Sequence, residues 1–191
     1  MEIKKLANNA INFSIKRVIE IVGASISIIG FLLLISLISF SPDDPNFIFP
    51  ENTEIINILG FRGSFTADLF FQSIGLIALL TPFSFILTGI NIILNKKIYL
   101  IIKCFFYTIL YSLFGSLFFS FFYLNAFKLY INGNGGFVGK YLDTTFLNFV
   151  INVNPQIFYY LLIIIILSLF LISIQFKINF FYNLTKKLFN F

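Results

Sequence analysis

The chain has 191 residues, 59% of them hydrophobic and 11% charged, with a formal charge of +5 and a mean hydropathy of +0.95. A soluble domain of this size cannot hide so much apolar surface, so the expected fold class is all-α integral membrane, solvated by lipid. The single cysteine, Cys104, allows no intrachain disulfide, and the absence of histidine removes the commonest general base and zinc ligand.

A hydrocarbon core of about 30 Å takes roughly 20 apolar residues as helix. Four stretches qualify, at residues 18–40, 69–90, 104–123 and 157–176. They divide the chain into an N-terminal segment, 1–17, a four-helix membrane domain, 18–176, and a tail, 177–191. With 29 Phe and no Trp, the composition has the look of an AT-rich genome, so single Phe and Asn residues carry little signal.

The first span follows Lys4, Lys5, Lys16 and Arg17, as a signal peptide would. Its apolar run is longer than an h-region and no small-x-small cleavage pattern follows Phe40, so it is read as a retained anchor. Gly23, Ser27 and Gly30 share one of its faces and invite close approach by another helix. Glu20, four residues from Lys16, is expected at the membrane edge, snorkelling or pairing with that lysine.

The span ends in SFSPDDPNF, residues 39–47. Pro42 cannot continue a helix and Pro45 biases Asp44 towards extended backbone, so the helix stops abruptly. Asp43 and Asp44 suit the turn and are expected to stay in water. Two adjacent carboxylates could hold a divalent cation, but nothing completes an oxygen cage; no catalytic, cofactor or metal site is expected.

In the second span Asp68, Gly75, Pro82 and Gly89 recur every seven residues. Such a period drifts only about 20° per repeat on a straight helix, which places all four on one narrow face buried against protein. Pro82 is expected to kink the helix mid-membrane and release the carbonyl near Ala78 to a donor such as Thr81 or Ser84. Asp68, the only acid on the seam, suits a helix N-terminus at the outer interface.

Between the second and third spans lies a short basic loop with Lys96, Lys97 and Lys103; Lys177, Lys186 and Lys187 follow the fourth span. With the N-terminal cluster these make ten basic residues on one side, against only Arg62, Lys128 and Lys140 in the two longer loops. By the positive-inside rule both termini and the short loop are cytoplasmic and the longer loops are outside. The clusters act as topological signals with weak attraction to anionic lipid; direct DNA binding is not expected of them.

The third span carries Thr108, Ser112, Ser116 and Ser120 four apart, with Gly115 beside them. Helix contact, with hydroxyls bonding their own i−4 carbonyls, is the plainer reading, and a polar conduit the sharper one. Conduction needs ionisable groups inside the membrane, and these are almost wholly missing. The fourth span is nearly uniform Ile, Leu and Phe and is expected to be the most lipid-exposed.

In the second outer loop Val138, Tyr141, Leu142, Phe146, Phe149, Val150 and Val153 fall at helical spacing. That predicts an amphipathic helix along the outer interface, ending before Pro155. NGGFVGKY, residues 134–141, has only a superficial likeness to a phosphate-binding loop: Asn134 and Tyr141 occupy its first Gly and its Ser/Thr positions, and ATP binding is rejected. More informative is GFRGSF at 60–65 against GFVGKY at 136–141, each between an outgoing and an incoming span. The shared Gly60, Gly63 and Gly136, Gly139 suggest two copies of one helix-loop-helix hairpin in parallel repeat.

Together SFSPDDPNF, NILGFRGSFTADLFFQSIG, LLTPFSFILTGI and GGFVGKYLDTTF resemble the amino-terminal four-helix membrane domain of the FtsK/SpoIIIE family of bacterial DNA translocases. The most specific elements are Ser41, Pro42, Asp44 and Pro45, then Gly60, Gly63, Ala67 and Asp68, extended by Gly75, Pro82 and Gly89. The resemblance implies a septal anchor that self-associates and contacts cell-division membrane proteins, while a cytoplasmic motor pumps chromosomal DNA. Since the chain stops at Phe191, about where the family's linker would begin, motor and DNA-reading domains are expected to be missing and ATP hydrolysis with them. Asn152 and Asn154 stand where glycines are expected before the fourth span. Two rival classes are a small four-helix transporter or channel subunit, which would conduct a substrate, and a quinone-linked thiol oxidase, which one cysteine cannot serve.

Overall fold

The computed structural model describes residues 2–45, 54–123 and 132–176, and among them every regular element is helical. Helix α1, Glu2–Ile38, runs without a break. At 1.5 Å per residue it is roughly 55 Å long, well beyond the ~30 Å of hydrocarbon, so its N-terminal turns stand clear of the apolar layer. It ends ahead of Pro42 as the prolines demand, with the Ser39 hydroxyl donating back to the Ile35 carbonyl at 2.7 Å.

The second span is a composite of helix α2, Gly60–Ile74, a 3-10 segment, Gly75–Leu80, and helix α3, Thr81–Asn95. Here the structure corrects the expected proline kink. The break falls at Gly75, whose φ of 71° and ψ of −150° are open essentially to glycine alone. Pro82 lies in the first turn of α3, where its missing N–H costs nothing. The Ala78 carbonyl is taken by the Thr81 backbone N–H in a 3-10 bond.

Helix α4, Leu100–Phe122, returns across the membrane, and two short helices follow, α5, Gly136–Asp143, and α6, Phe146–Val153. The single amphipathic helix expected in this loop is therefore two, parted at Thr144 and Thr145. Thr145 caps α6 by accepting the Leu147 N–H. Of the expected apolar stripe, Tyr141, Phe149 and Val153 are exposed and Leu142 turns towards the α4 and α7 core, joined there by Leu147 and Ile151, which lie outside the stripe. Helix α7, Pro155–Ser173, starts at Asn154, whose side chain accepts the Ile157 N–H ahead of Pro155. That cap is what this asparagine supplies in place of a glycine.

Four helical stretches are long and apolar enough to cross a membrane, Asn8–Ile38, Gly60–Asn95, Leu100–Phe122 and Pro155–Ser173. The last has the smallest share of its length buried. They pair as two hairpins, α1 with α3 and α4 with α7. Within the first, a Cβ on Gly89 would lie 2.4 Å from the Gly23 carbonyl oxygen and 2.2 Å from the Ser27 hydroxyl, so the two backbones touch. Ser27 also donates to the Ile86 carbonyl across this contact at 3.1 Å. Within the second, Tyr111, Leu117, Phe118, Leu162 and Ile166 interlock with Ile77 and Ile151.

At the end bearing the N-terminus and the α3–α4 turn, Glu20 pairs with Arg17 at 2.6 Å and with Lys96. The expected partner, Lys16, is replaced because i,i+3 and cross-helix neighbours reach the carboxylate first. Lys96 is held by a left-handed C-cap of α3, with φ of 55°.

Candidate functional site

The opposite end of the bundle, called here the loop end, gathers most of the residues singled out in the sequence. Asp44 is buried, against the expectation that both aspartates stay in water; only Asp43 is exposed. Its two carboxylate oxygens accept the backbone N–H groups of Ile56, at 2.8 Å, and Asn57, at 2.9 Å. A carboxylate satisfied by two amides can leave water. Pro45 is buried too, and its carbonyl accepts from the Ser64 hydroxyl at 3.0 Å. No group of three or more acids or cysteines able to hold a metal occurs among the described residues.

Asn57 continues the clamp. Its amide donates to the carbonyls of Ser36, at 2.9 Å, and Ser39, at 3.2 Å, which the end of α1 leaves unpaired. Its side-chain oxygen accepts the Leu59 N–H at 3.1 Å, and its own carbonyl accepts the Gly60 N–H at 2.8 Å. Gly60 then takes φ of 63° and α2 begins. Ser36, buried in α1, donates to the Gly63 carbonyl at 2.6 Å. A Cβ on Gly63 would stand 2.1 Å from the Asn57 amide oxygen.

The second loop repeats this plan. Asn134 donates to the Tyr123 carbonyl at the end of α4, the Gly136 N–H reaches the Gly133 carbonyl at 3.1 Å, and Gly136 takes φ of 65° as α5 begins. Three residues on, a Cβ on Gly139 would stand 2.3 Å from the Ser116 carbonyl. GFRGSF and GFVGKY thus do the same task in the two halves: a left-handed glycine opens a short helix, and a second glycine lets it lie against its neighbours. The acids that follow differ, since Asp68 is buried and bonded by Gln72 at 3.4 Å, whereas Asp143 accepts from Asn148 at 2.8 Å.

The two halves meet at Gly75. The Leu76 N–H donates to the Asn134 carbonyl at 2.9 Å, and a Cβ on Gly75 would lie 2.0 Å from that oxygen. Ser116 donates to the Ile74 carbonyl at 2.8 Å, at the junction where α2 gives way to the 3-10 segment. The serine was expected to bond within its own helix; instead it donates to a neighbour's.

Asp68, Gly75, Pro82 and Gly89 are all buried. They do not meet one neighbour, however, because the spacing argument presumed an unbroken helix: Gly75 faces the second loop and Gly89 faces α1. Nor is Asp68 at a helix start. It follows Gly60 by eight residues, two turns into α2, out of reach of the dipole at the first turn.

Deeper in the membrane, hydroxyls join α3, α4 and α7. Ser84 bonds the Tyr111 hydroxyl at 3.0 Å and Ser173 at 2.7 Å, and Thr88 donates to the Ser173 carbonyl at 3.2 Å. These groups are spent on each other, as glue between helices. Sequence reading passed over Asn57, Tyr111 and Ser173, and named Asn134 and Ser84 without finding the bonds they make here. A signal existed for Asn57 and Asn134, each an asparagine two or three residues ahead of a turn glycine.

Residues 15–184 match the model of the 4TM region of DNA translocase FtsK/SpoIIIE. The chain belongs to this family. No curated protein and no solved structure matches it. The family description confines the match to the membrane region of the FtsK/SpoIIIE translocase, and the motor is no part of it. Both copies of the glycine turn, the Asp44 clamp and the broken second span lie inside the matched residues, so the features above are those of the FtsK 4TM region as this sequence builds it. The chain is accordingly a multi-pass membrane protein and a membrane-anchoring module.

Proposed function

We propose that this chain is the anchoring and assembly module of a septal DNA translocase, acting in cell division and chromosome segregation at the bacterial inner membrane. The observation that carries this reading is the match to the translocase's four-helix region over nearly the whole chain. In this role it does no catalysis itself and binds neither ATP nor DNA directly; the work of pumping belongs to a motor segment, attached or separate. Both termini face the cytoplasm, in keeping with the ten basic residues on that side. The described parts of the two longer loops, tied together by Asp44, Asn57 and Asn134, then offer an outer face for other division proteins. Self-association is part of the proposal, with the poorly buried α7 as the available helix.

A fluorescent fusion imaged in dividing cells tests the role. Enrichment at the septum is expected, and uniform labelling of the envelope would count decisively against it.

A further inference from the structure

A cavity of about 510 Å³ opens at the terminal end of the bundle, between the α3–α4 turn and the end of α7. Lys97 and Lys103 line it on one side, and Leu100, Leu171 and Ile172 form an apolar wall. Among the described residues neither lysine is ion-paired; their ammonium groups lie only over the rings of Tyr99 and Tyr107, each at 6.0 Å. Gln175 also lines the cavity, in a left-handed turn with φ of 54° just past α7. Its side-chain amide nitrogen is buried and, among the described residues, has no hydrogen-bond partner.

A buried donor without an acceptor costs free energy comparable to a lost hydrogen bond, so its position calls for an acceptor from outside the chain. Two unpaired cations beside it ask for an anion. The leucine and isoleucine wall, at the ends of spanning helices, asks that the anion carry a hydrocarbon chain. We infer that this cavity binds the phosphodiester headgroup of an anionic phospholipid, with Lys97, Lys103 and the Gln175 amide on its oxygens and an acyl chain along α4 and α7. Basic pockets between spanning helices at the membrane surface take such headgroups. A free phosphate would leave the apolar wall without purpose. The inference needs only a chain in a membrane and stands or falls apart from the septal role.

The test is native mass spectrometry of the full chain in a neutral detergent, offered equal amounts of phosphatidylglycerol and phosphatidylcholine with the same acyl chains. Preferential retention of one phosphatidylglycerol, by about tenfold or more, is expected. The double variant Lys97→Gln/Lys103→Gln should abolish that preference, while Lys16→Gln/Lys140→Gln, which removes the same charge elsewhere, should keep it. Gln175→Leu should weaken the preference several-fold with the helical content unchanged. Equal retention of both lipids by the unaltered chain would overturn the inference. So would equal losses in the two double variants, or displacement of the lipid by millimolar inorganic phosphate.

Discussion

Asp44 accepts the backbone N–H of Asn57 at 2.9 Å, and through that bond the end of the first span fixes the start of the second. The carboxylate orders the approach to α2, and the asparagine it orders reaches back to the last carbonyls of α1. Asp44→Ala strips the buried Asn57 amide and the more exposed Ile56 amide of their acceptor and should cost roughly 1–3 kcal/mol. Asp43→Ala, on an exposed neighbour, should stay within about 0.5 kcal/mol. Thermal unfolding of the two variants in detergent separates the roles of adjacent, chemically identical residues.

Gly75→Ala puts a side chain into backbone geometry that only glycine adopts readily, at about 1–3 kcal/mol before any clash. The added carbon would also meet the Asn134 carbonyl oxygen, so the loop and α2 must separate. Loss of contact between the halves is expected, visible as faster proteolysis at the loop end. An unchanged cleavage pattern would contradict the placement of the break.

At Gly89 the neighbour is different. Gly89→Leu should push α1 from α3 while leaving the α4–α7 hairpin intact. Crosslinks engineered between α1 and α3 should fall away and those between α4 and α7 persist, a split that one common seam would not give.

The hydroxyl glue predicts small effects. Tyr111→Phe removes one interhelical hydrogen bond and should cost about 0.6 kcal/mol, at most about 1.7. Ser116→Ala removes a hydrogen bond to a backbone carbonyl at the junction of α2 and the 3-10 segment and should cost about 0.5–1.5 kcal/mol. Equilibrium unfolding of both variants in the same mixed micelles checks both magnitudes.

Sidedness has its own test. With Cys104→Ser as background, a cysteine at Lys97 should resist a membrane-impermeant maleimide added to whole cells, while one at Asp43 should react. Labelling of the α3–α4 turn from outside would reverse the proposed topology.

How much of this was legible in the sequence depends on range. The four spans could be read from hydropathy because lipid imposes it residue by residue. The stop after α1 followed from Pro42 and Pro45, which act locally, and the repeat from two glycine turns that depend on backbone conformation. The fate of Asp44 was hidden, since its acceptor role needs amides twelve and thirteen residues away. Pro82 misled for a similar reason: a proline's effect depends on whether it falls within a helix or at its start, and the start was set by Gly75 docking onto Asn134. The Ser84–Tyr111–Ser173 cluster joins three helices and leaves no mark in any one of them.

The bent form of the second membrane crossing depends on a segment made later. Leu76, beside Gly75, donates its N–H to the Asn134 carbonyl, and at about 5–20 residues per second the ribosome needs several seconds to travel between them. Until then the newly inserted hairpin lacks the clasp that sets its shape. The domain therefore matures in two stages, insertion of the first hairpin and then its remodelling when the second arrives, so truncation ahead of Asn134 should leave a membrane-inserted but unsettled half.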